Sequence, residues 1–561
     1  MSRLFEQYKK RNTVSLNGFW QFCTDEESKG EKEKWFLNFP EKGEKMYVPS
    51  CFNNSFGLLE YKGIVWYNRE ITISSTEALL EFEGVLGACK VWLDGELLGC
   101  HYGGYTTVSF YLSNIEKGKH SLTVLADNSS SSETIPSDVA DWFSYGGISR
   151  NVNLYELNST FISDLKINYS LNDNMTCADI SVKANIKSIK DFKEKGEAKV
   201  YFEDEAVSVI PYERNGETQE ITFNFKKDIE LWDIDNPKLY YIRIEAEDDD
   251  ITERIGFRKI EVQGKKILLN GRKIFLKGVN RHEDYPDFGH TFPISLMQRD
   301  IDIIKNLGCN TIRGSHYPNT HEFLDLLDEQ GILFWSEIPM WGYQTEEELK
   351  SEVLQSRAID MHIEMINEYY NHTSIVIWGM FNEIDSKLPI AYDIAERIFT
   401  LIRSMDSSRL ITFATDRAEF DICFKFCDFI GINKYFGWYG GGTDAWKGFF
   451  ETLKVWFEEQ GVNDKPVVMS EFGGAALYGN HTFDNIKWSE EYQAQLLTES
   501  IEAFLESGMV TGTYVWHFAD ARTVRPSTDR ARGFNNKGIL NEYRKPKAAY
   551  FAVKKMYENI K

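Results

Sequence analysis

The sequence predicts two β-sandwiches followed by an eight-stranded (β/α) barrel, and three observations carry that prediction. Residues from about 12 to 157 alternate short β-patterned runs with turn signals, residues 158–262 repeat the pattern with fewer aromatics and more charge, and after Leu268-Leu269-Asn270-Gly271 helices begin to alternate with strands. At 561 residues the chain is too long for one core, and a 42% hydrophobic content excludes disorder.

In the first zone the runs LNGFWQF, IVWYNREITI, ALLEFEGV, KVWLDGELLG, SLTVLAD and NVNLYEL have the length and spacing of sandwich strands, and Asp94-Gly95 is a hairpin turn of the type that needs two positive-φ residues. In the second, ISDLKINYSL, ADISVKANI, AKVYFED, EITFNF and YYIRIEAED are enough for one immunoglobulin-like sandwich. The third zone offers IFLKGVN, TIRGSH, ILFWSEI, SIVIWGMFNE, LITFAT, FIGINKYF, PVVMSEFG and TYVWHFAD as eight strands in order. Between them lie amphipathic stretches such as SLMQRDIDIIKNLG and HEFLDLLDEQG, the second ending on a C-capping glycine. The expected boundaries are 1–157, 158–262 and 263–561.

Composition narrows the partners. A net charge of −23 argues against nucleic acid and anionic membrane, both of which need clustered Lys and Arg. MSRLFEQYKKRN lacks the apolar stretch of a secretion signal, and no run of about 18 apolar residues occurs, so a cytoplasmic location is expected. The eight cysteines (23, 51, 89, 100, 177, 309, 423, 427) are scattered without a C-x-x-C, which favours reduced core thiols over disulfides or zinc.

Two segments carry the chemistry. Trp378-Gly379-Met380-Phe381-Asn382-Glu383 and Val467-Val468-Met469-Ser470-Glu471-Phe472-Gly473 are apolar, strand-forming runs that deliver a glutamate at their ends. A (β/α)8 barrel builds its active site from strand ends, so both carboxylates are expected at one mouth, as glycoside cleavage requires. His282, Glu283, Asp284, His290 and His316 lack the helical His-x-x-x-His spacing of zinc hydrolases and are read as hydrogen-bonding groups on the barrel floor. Glu337, ending the third strand, is read as a carboxylate that orients a neighbour.

Motifs running in order along the barrel resemble glycoside hydrolase family 2, and within it the bacterial glucuronidases: Gly278-Val279-Asn280-Arg281-His282-Glu283, Ser315-His316-Tyr317-Pro318, Asn382-Glu383, Asn433-Lys434-Tyr435-Phe436-Gly437-Trp438-Tyr439, Ser470-Glu471-Phe472-Gly473, Val515-Trp516-His517-Phe518-Ala519-Asp520 and Asn535-Asn536-Lys537-Gly538. The resemblance implies a jelly-roll, sugar-binding-like first domain and a TIM barrel last. It implies a retaining exo-β-glucuronidase acting on glucuronides or uronic-acid-terminated oligosaccharides, with no cofactor or metal, as a dimer or tetramer. Glu383 would be the acid/base, Glu471 the nucleophile and Asn382 a donor to the sugar 2-hydroxyl. Asp141, His282, Tyr435, Tyr439 and Trp516 would bind substrate, and Asn535 and Lys537 would hold its carboxylate. Arg532 would stand near that carboxylate too, but the segment Asp529–Gly533 is one residue longer than the family pattern, which leaves Arg530 as the alternative. A β-galacturonidase or β-galactosidase of the same family, and an inactive carbohydrate-binding homologue, remain open alternatives.

Overall fold

The computed structural model describes residues 2–41, 43–158, 160–188, 195–213, 218–525 and 530–560. The first unit packs a four-stranded antiparallel sheet (Asn12–Ser15, Val152–Glu156, Glu77–Phe82, Val108–Ser113) on a six-stranded one (Glu44–Val48, Gly18–Thr24, Ile64–Ile73, Gly118–Asp127, Ala88–Leu93, Glu96–Tyr102). Alternation decides which face is buried: in Gly118–Asp127, His120, Leu122 and Val124 turn inward, the last two onto Val91 and Tyr67. The hairpin expected at Asp94-Gly95 is there, with both residues at positive φ (51° and 86°) and Leu93 paired with Glu96.

The second unit is a three-stranded sheet (Thr160–Leu171, Cys177–Ser188, Thr218–Asp228) facing a four-stranded one (Glu205–Glu213, Lys195–Phe202, Tyr240–Ala246, Asp249–Ile255) across an aliphatic core that includes Ile180, Val182, Val200, Ile242 and Ile244.

All eight predicted barrel strands form, and they close in order: Leu276–Asn280, Thr311–Arg313, Leu333–Glu337, Ile375–Asn382, Leu410–Thr415, Ile430–Asn433, Val467–Phe472 and Val510–Val515. Long helices follow every strand but the fifth. There, residues 416–429 hold only the 3-10 turn Phe424–Phe426, whose neighbouring carbonyls of Phe424 and Cys427 are capped by Lys465 Nζ. The two helices foreseen are Ile294–Asn306 and His321–Gln330, the latter capped by the Thr320 side chain and by Gly331 at φ 71°. A small antiparallel sheet (Ile260–Gln263, Lys266–Leu269, Arg272–Ile274) packs Ile267 and Leu269 with Trp232 of the second sandwich against Leu276, Leu333 and Trp335, and so plugs the end of the barrel opposite the active mouth.

The mouth is covered from one side by residues 140–150 of the first sandwich. Trp142, Phe143 and Tyr145 share an apolar cluster with Tyr317, Tyr145 Oη donates to Asp284 (2.7 Å), and the Arg150 guanidinium donates to the Pro318 carbonyl (2.7 Å). No helix among the described residues is long and apolar enough to cross a membrane. The eight cysteines are unpaired; five are buried as expected, whereas Cys100 is exposed on the Glu96–Tyr102 edge strand.

Candidate active site

Glu383 and Glu471 line one pocket of about 250 Å³ at the C-terminal ends of the strands, together with Asp141, Trp142, His316, Trp341, Asp416, Tyr435, Tyr439, Trp516, Arg525, Arg530 and Lys537. Each glutamate arrives there for the same reason. Strands four and seven are buried along their whole length, so their polar termini are the first residues free to face solvent.

Their surroundings differ. Glu471 accepts from Arg313 Nη1 (2.9 Å) on one oxygen and from the Tyr435 hydroxyl (2.6 Å) on the other. Glu383 accepts one bond, from Asn433 Nδ2 (2.8 Å); burial first, then the charge of Glu471 and that of Asp416, push its carboxyl well above the usual range. One carboxyl pushed toward its acid form thus stands beside one held by two donors, an asymmetry that suits the division of labour in glycoside cleavage.

Arg313, a fully buried residue ending strand two, organises the base of this pocket. Its guanidinium donates to both oxygens of Glu337 (2.9 Å each), to Glu471 and to Asn382 Oδ1 (2.8 Å). Burial acts to raise Glu337, but Arg313 and the His316 Nδ1 contact at 2.6 Å outweigh it and hold that carboxyl below its ordinary value. Glu337 is therefore an orienting anion, as its position suggested. Asn382 Oδ1 also accepts from Asn433 (3.1 Å), while its Nδ2 is buried without a partner among the described residues.

The opposite wall is cationic. Lys537 is 2% exposed, and its Nζ donates to the Tyr439 hydroxyl (2.8 Å). Burial lowers its pKa from the ordinary lysine value, only partly offset by Tyr439 and Asp141. Arg530 forms an ion pair with Asp141, which also accepts from Thr523 (2.9 Å) and Asn535 Nδ2 (3.3 Å) and has Arg525 Nε at 3.5 Å. Burial would raise Asp141, but Arg530, Arg525 and Lys537 together hold it below its ordinary value.

The sequence-predicted residues fall into three groups. Glu383, Glu471, Asp141, Tyr435, Tyr439, Trp516 and Lys537 line the pocket, Tyr439 being 62% exposed at its rim. Asn382, Asn535 and His282 stand directly behind it. His282 hydrogen bonds Tyr317 (3.3 Å) and meets Trp516 edge-on (5.5 Å), and burial with the nearby His316 holds it well below its ordinary pKa, hence neutral. Arg532 is the correction. It sits at φ 64° in the tight turn Ala531–Gly533, which swings its half-exposed side chain out to Glu542 (2.8 Å), and Arg530 takes the inward place. The histidines also lie at the mouth rather than on the floor, since His282 and His316 follow the C-terminal ends of strands one and two and His316 stacks on Trp516 (5.2 Å). Glu283 and Asp284 turn to different partners, Arg150 and Tyr145, and do not converge with them. No role was foreseen for Arg313, Asn433, Trp142, Trp341, Asp416 or Arg525, although Asn433 opens one of the family-like motifs.

A barrel mouth with two glutamates in opposed settings, walled by tryptophans, is that of a glycosidase. The glycosyl hydrolases family 2 models match along the chain, the sugar binding domain at 13–158, the middle domain at 160–258 and the TIM barrel domain at 260–561, and the chain belongs to that family. A β-galacturonidase of family 2 from Eisenbergiella tayi, solved bound to galacturonate, is 35% identical with full coverage of both chains and a TM-score of 0.92. The β-glucuronidase of Ruminococcus gnavus, solved with uronic isofagomine, is 27% identical over 99% of each chain with a TM-score of 0.87. The β-glucuronidase of Streptococcus agalactiae is 28% identical over 98% of this chain and 97% of its own.

Proposed function

We propose that this glycosidase is a retaining, exo-acting β-glucuronidase. The observation that carries the uronide assignment is a cationic grouping in an acidic protein: Arg530, Arg525 and the buried ammonium of Lys537 stand together around Asp141 on one side of the pocket. An ammonium has three donors, and Tyr439 takes one. A sugar carboxylate can accept N–H groups of this ammonium, with a charge-assisted bond about twice as strong as a neutral one.

In this reading the carboxylate docks against Lys537 and Arg530, and the ring lies beneath Trp516 and Trp142. Glu383, neutral at rest, protonates the glycosidic oxygen while Glu471, aimed by Arg313 and Tyr435, attacks the anomeric carbon. The leaving group departs with that proton, and Glu383, now a carboxylate, takes a proton from the water that releases the sugar from Glu471. The unpartnered Asn382 amide is the donor to the 2-hydroxyl, a bond that strengthens as positive charge grows on the ring. The galacturonate and uronic isofagomine bound by related enzymes support the same substrate class.

A second reading, β-galacturonidase, is favoured by the 35% identity and 0.92 TM-score with the Eisenbergiella tayi enzyme. Rates on nitrophenyl β-glucuronide, galacturonide, glucoside and galactoside decide. Glucuronide foremost supports the first reading, galacturonide foremost the second, and preference for a neutral sugar overturns both. Eight unpaired thiols support a reducing, cytoplasmic setting, and the homo-oligomer implied by the family resemblance is tested by sedimentation.

A further inference from the structure

Glu383 sits in an unusual backbone conformation. Its φ is 50°, in the left-handed region that a side-chain-bearing residue enters at a cost, and such residues persist where the surroundings fix them. Three contacts fix this one. The Glu383 amide donates to the Ala414 carbonyl (2.9 Å), its carboxyl accepts from Asn433, and its own carbonyl accepts from Gln344 Nε2 (2.6 Å). Gln344 is exposed, so its amide would swing freely unless its other end were held. It is held: Arg417 Nη2 donates to Gln344 Oε1.

Arg417 makes two further contacts. Its Nη1 pairs with Asp416, and its Nε lies 3.0 Å from Asp385, two residues beyond Glu383. One guanidinium thus ties together the loops after strands three (Gln344), four (Asp385) and five (Asp416), with Glu383 at their centre. It also neutralises Asp416, an anion lining the catalytic pocket.

We propose that Arg417 is a positioning residue for the acid/base: it clamps Gln344 and Asp385 so that the Glu383 backbone stays in its left-handed turn and the carboxyl stays aimed at the leaving oxygen. It touches neither substrate nor reacting atoms. The proposal rests on Glu383 being the acid/base of a glycosidase.

The test compares Arg417→Ala, Arg417→Lys and Gln344→Ala with the unmodified protein on the β-glycoside it cleaves best, using aryl leaving groups from dinitrophenol to unsubstituted phenol. Misaimed proton transfer should cost 10- to 100-fold in kcat/KM for phenol and under threefold for dinitrophenol, which needs no acid. Arg417→Lys should recover part of the loss, Gln344→Ala should show the same leaving-group split, and the alkaline limb for Arg417→Ala should move up as Asp416 loses its partner. Equal losses on all leaving groups, an unmoved pH profile, or a crystal structure of Arg417→Ala with Glu383 still at φ near 50° and in place, would overturn the proposal. Failure of the uronide reading would show separately, as a neutral-sugar preference of the unmodified protein.

Discussion

Removing the Lys537 ammonium is the sharpest perturbation the site allows. The group is 2% exposed and donates to Tyr439, and Asp141, the anion beside it, is engaged by Arg530. A substrate carboxylate arriving there gains a charge-assisted bond in a place from which water is largely excluded. Truncating one partner of such a pair costs on the order of 2–4 kcal/mol, equivalent to roughly 30- to 1000-fold in kcat/KM. Lys537→Ala should lose that factor on uronides and leave residual β-glucoside or β-galactoside hydrolysis within about threefold, because a neutral C5 substituent makes no such bond. Parallel kcat/KM measurements on both substrate classes give the ratio directly. A linkage experiment provides an independent arm. Burial lowers this lysine's pKa, so the folded state binds fewer protons than the unfolded across the window between the lowered and the ordinary lysine values. The destabilising share is complete below the lowered value and relieved as pH rises through the window. A bound uronate relieves it at neutral pH instead, so glucuronate should raise the melting temperature where glucose does not. Equal losses on both substrate classes, with no such difference in melting, would refute the uronide reasoning.

Glu471→Ala should abolish turnover while the protein stays folded, and a 2-fluoro glycoside should label Glu471 in the parent; label on any other residue contradicts the nucleophile assignment. Glu383→Ala should spare substrates with good leaving groups and be partly rescued by azide. Since Glu383 acts protonated and its pKa is raised by burial and Glu471, the parent's kcat/KM should fall as pH rises through a value above the ordinary carboxylate range, and this limb should vanish in the variant. Arg313→Ala leaves Glu337 and Glu471 buried without their cation, a loss of about 3–5 kcal/mol; the melting temperature should drop sharply, and an unchanged value would show that the base of the pocket is held by other groups. The segment after strand three reaches the short helix Glu346–Leu349 without a long insertion, leaving Trp341 as its contribution to the pocket. Small aryl glucuronides should therefore show a high KM, with better relative use of glucuronic-acid-terminated oligosaccharides, and a micromolar KM for nitrophenyl glucuronide on dilute protein would contradict the open mouth.

The two glutamates were legible because each ends a run so apolar that a solvated alternative is untenable; WGMFNE and VVMSE announce both strand and tip. The sandwiches were legible through alternation and through turns such as Asp94-Gly95. Arg313 was not, because TIRGSH reads equally well as a strand whose arginine points to solvent, and only barrel closure puts that position under Glu337 and Glu471. The choice between Arg530 and Arg532 was closed to pattern reading for a different reason. It hangs on a single left-handed residue, Arg532, in the tight turn Ala531–Gly533, and alternation says nothing once the chain leaves a strand. The missing fifth helix was hidden because the apolar run DICFKFCDF suits a buried turn and a helix alike. Arg417 escaped notice because its partners come from three loops brought together only by the closed barrel.

The first sandwich contributes Asp141 and Trp142 to a pocket whose glutamates belong to the last third of the chain. A ribosome therefore makes this part of the wall hundreds of residues before the reactive groups, and it has no use until they arrive. An excised barrel would carry both carboxylates yet lack one side of its binding cleft. Turnover of a uronide thus certifies that both ends of the polypeptide have met in register, and a loss of selectivity would report separation of the parts before any loss of secondary structure does.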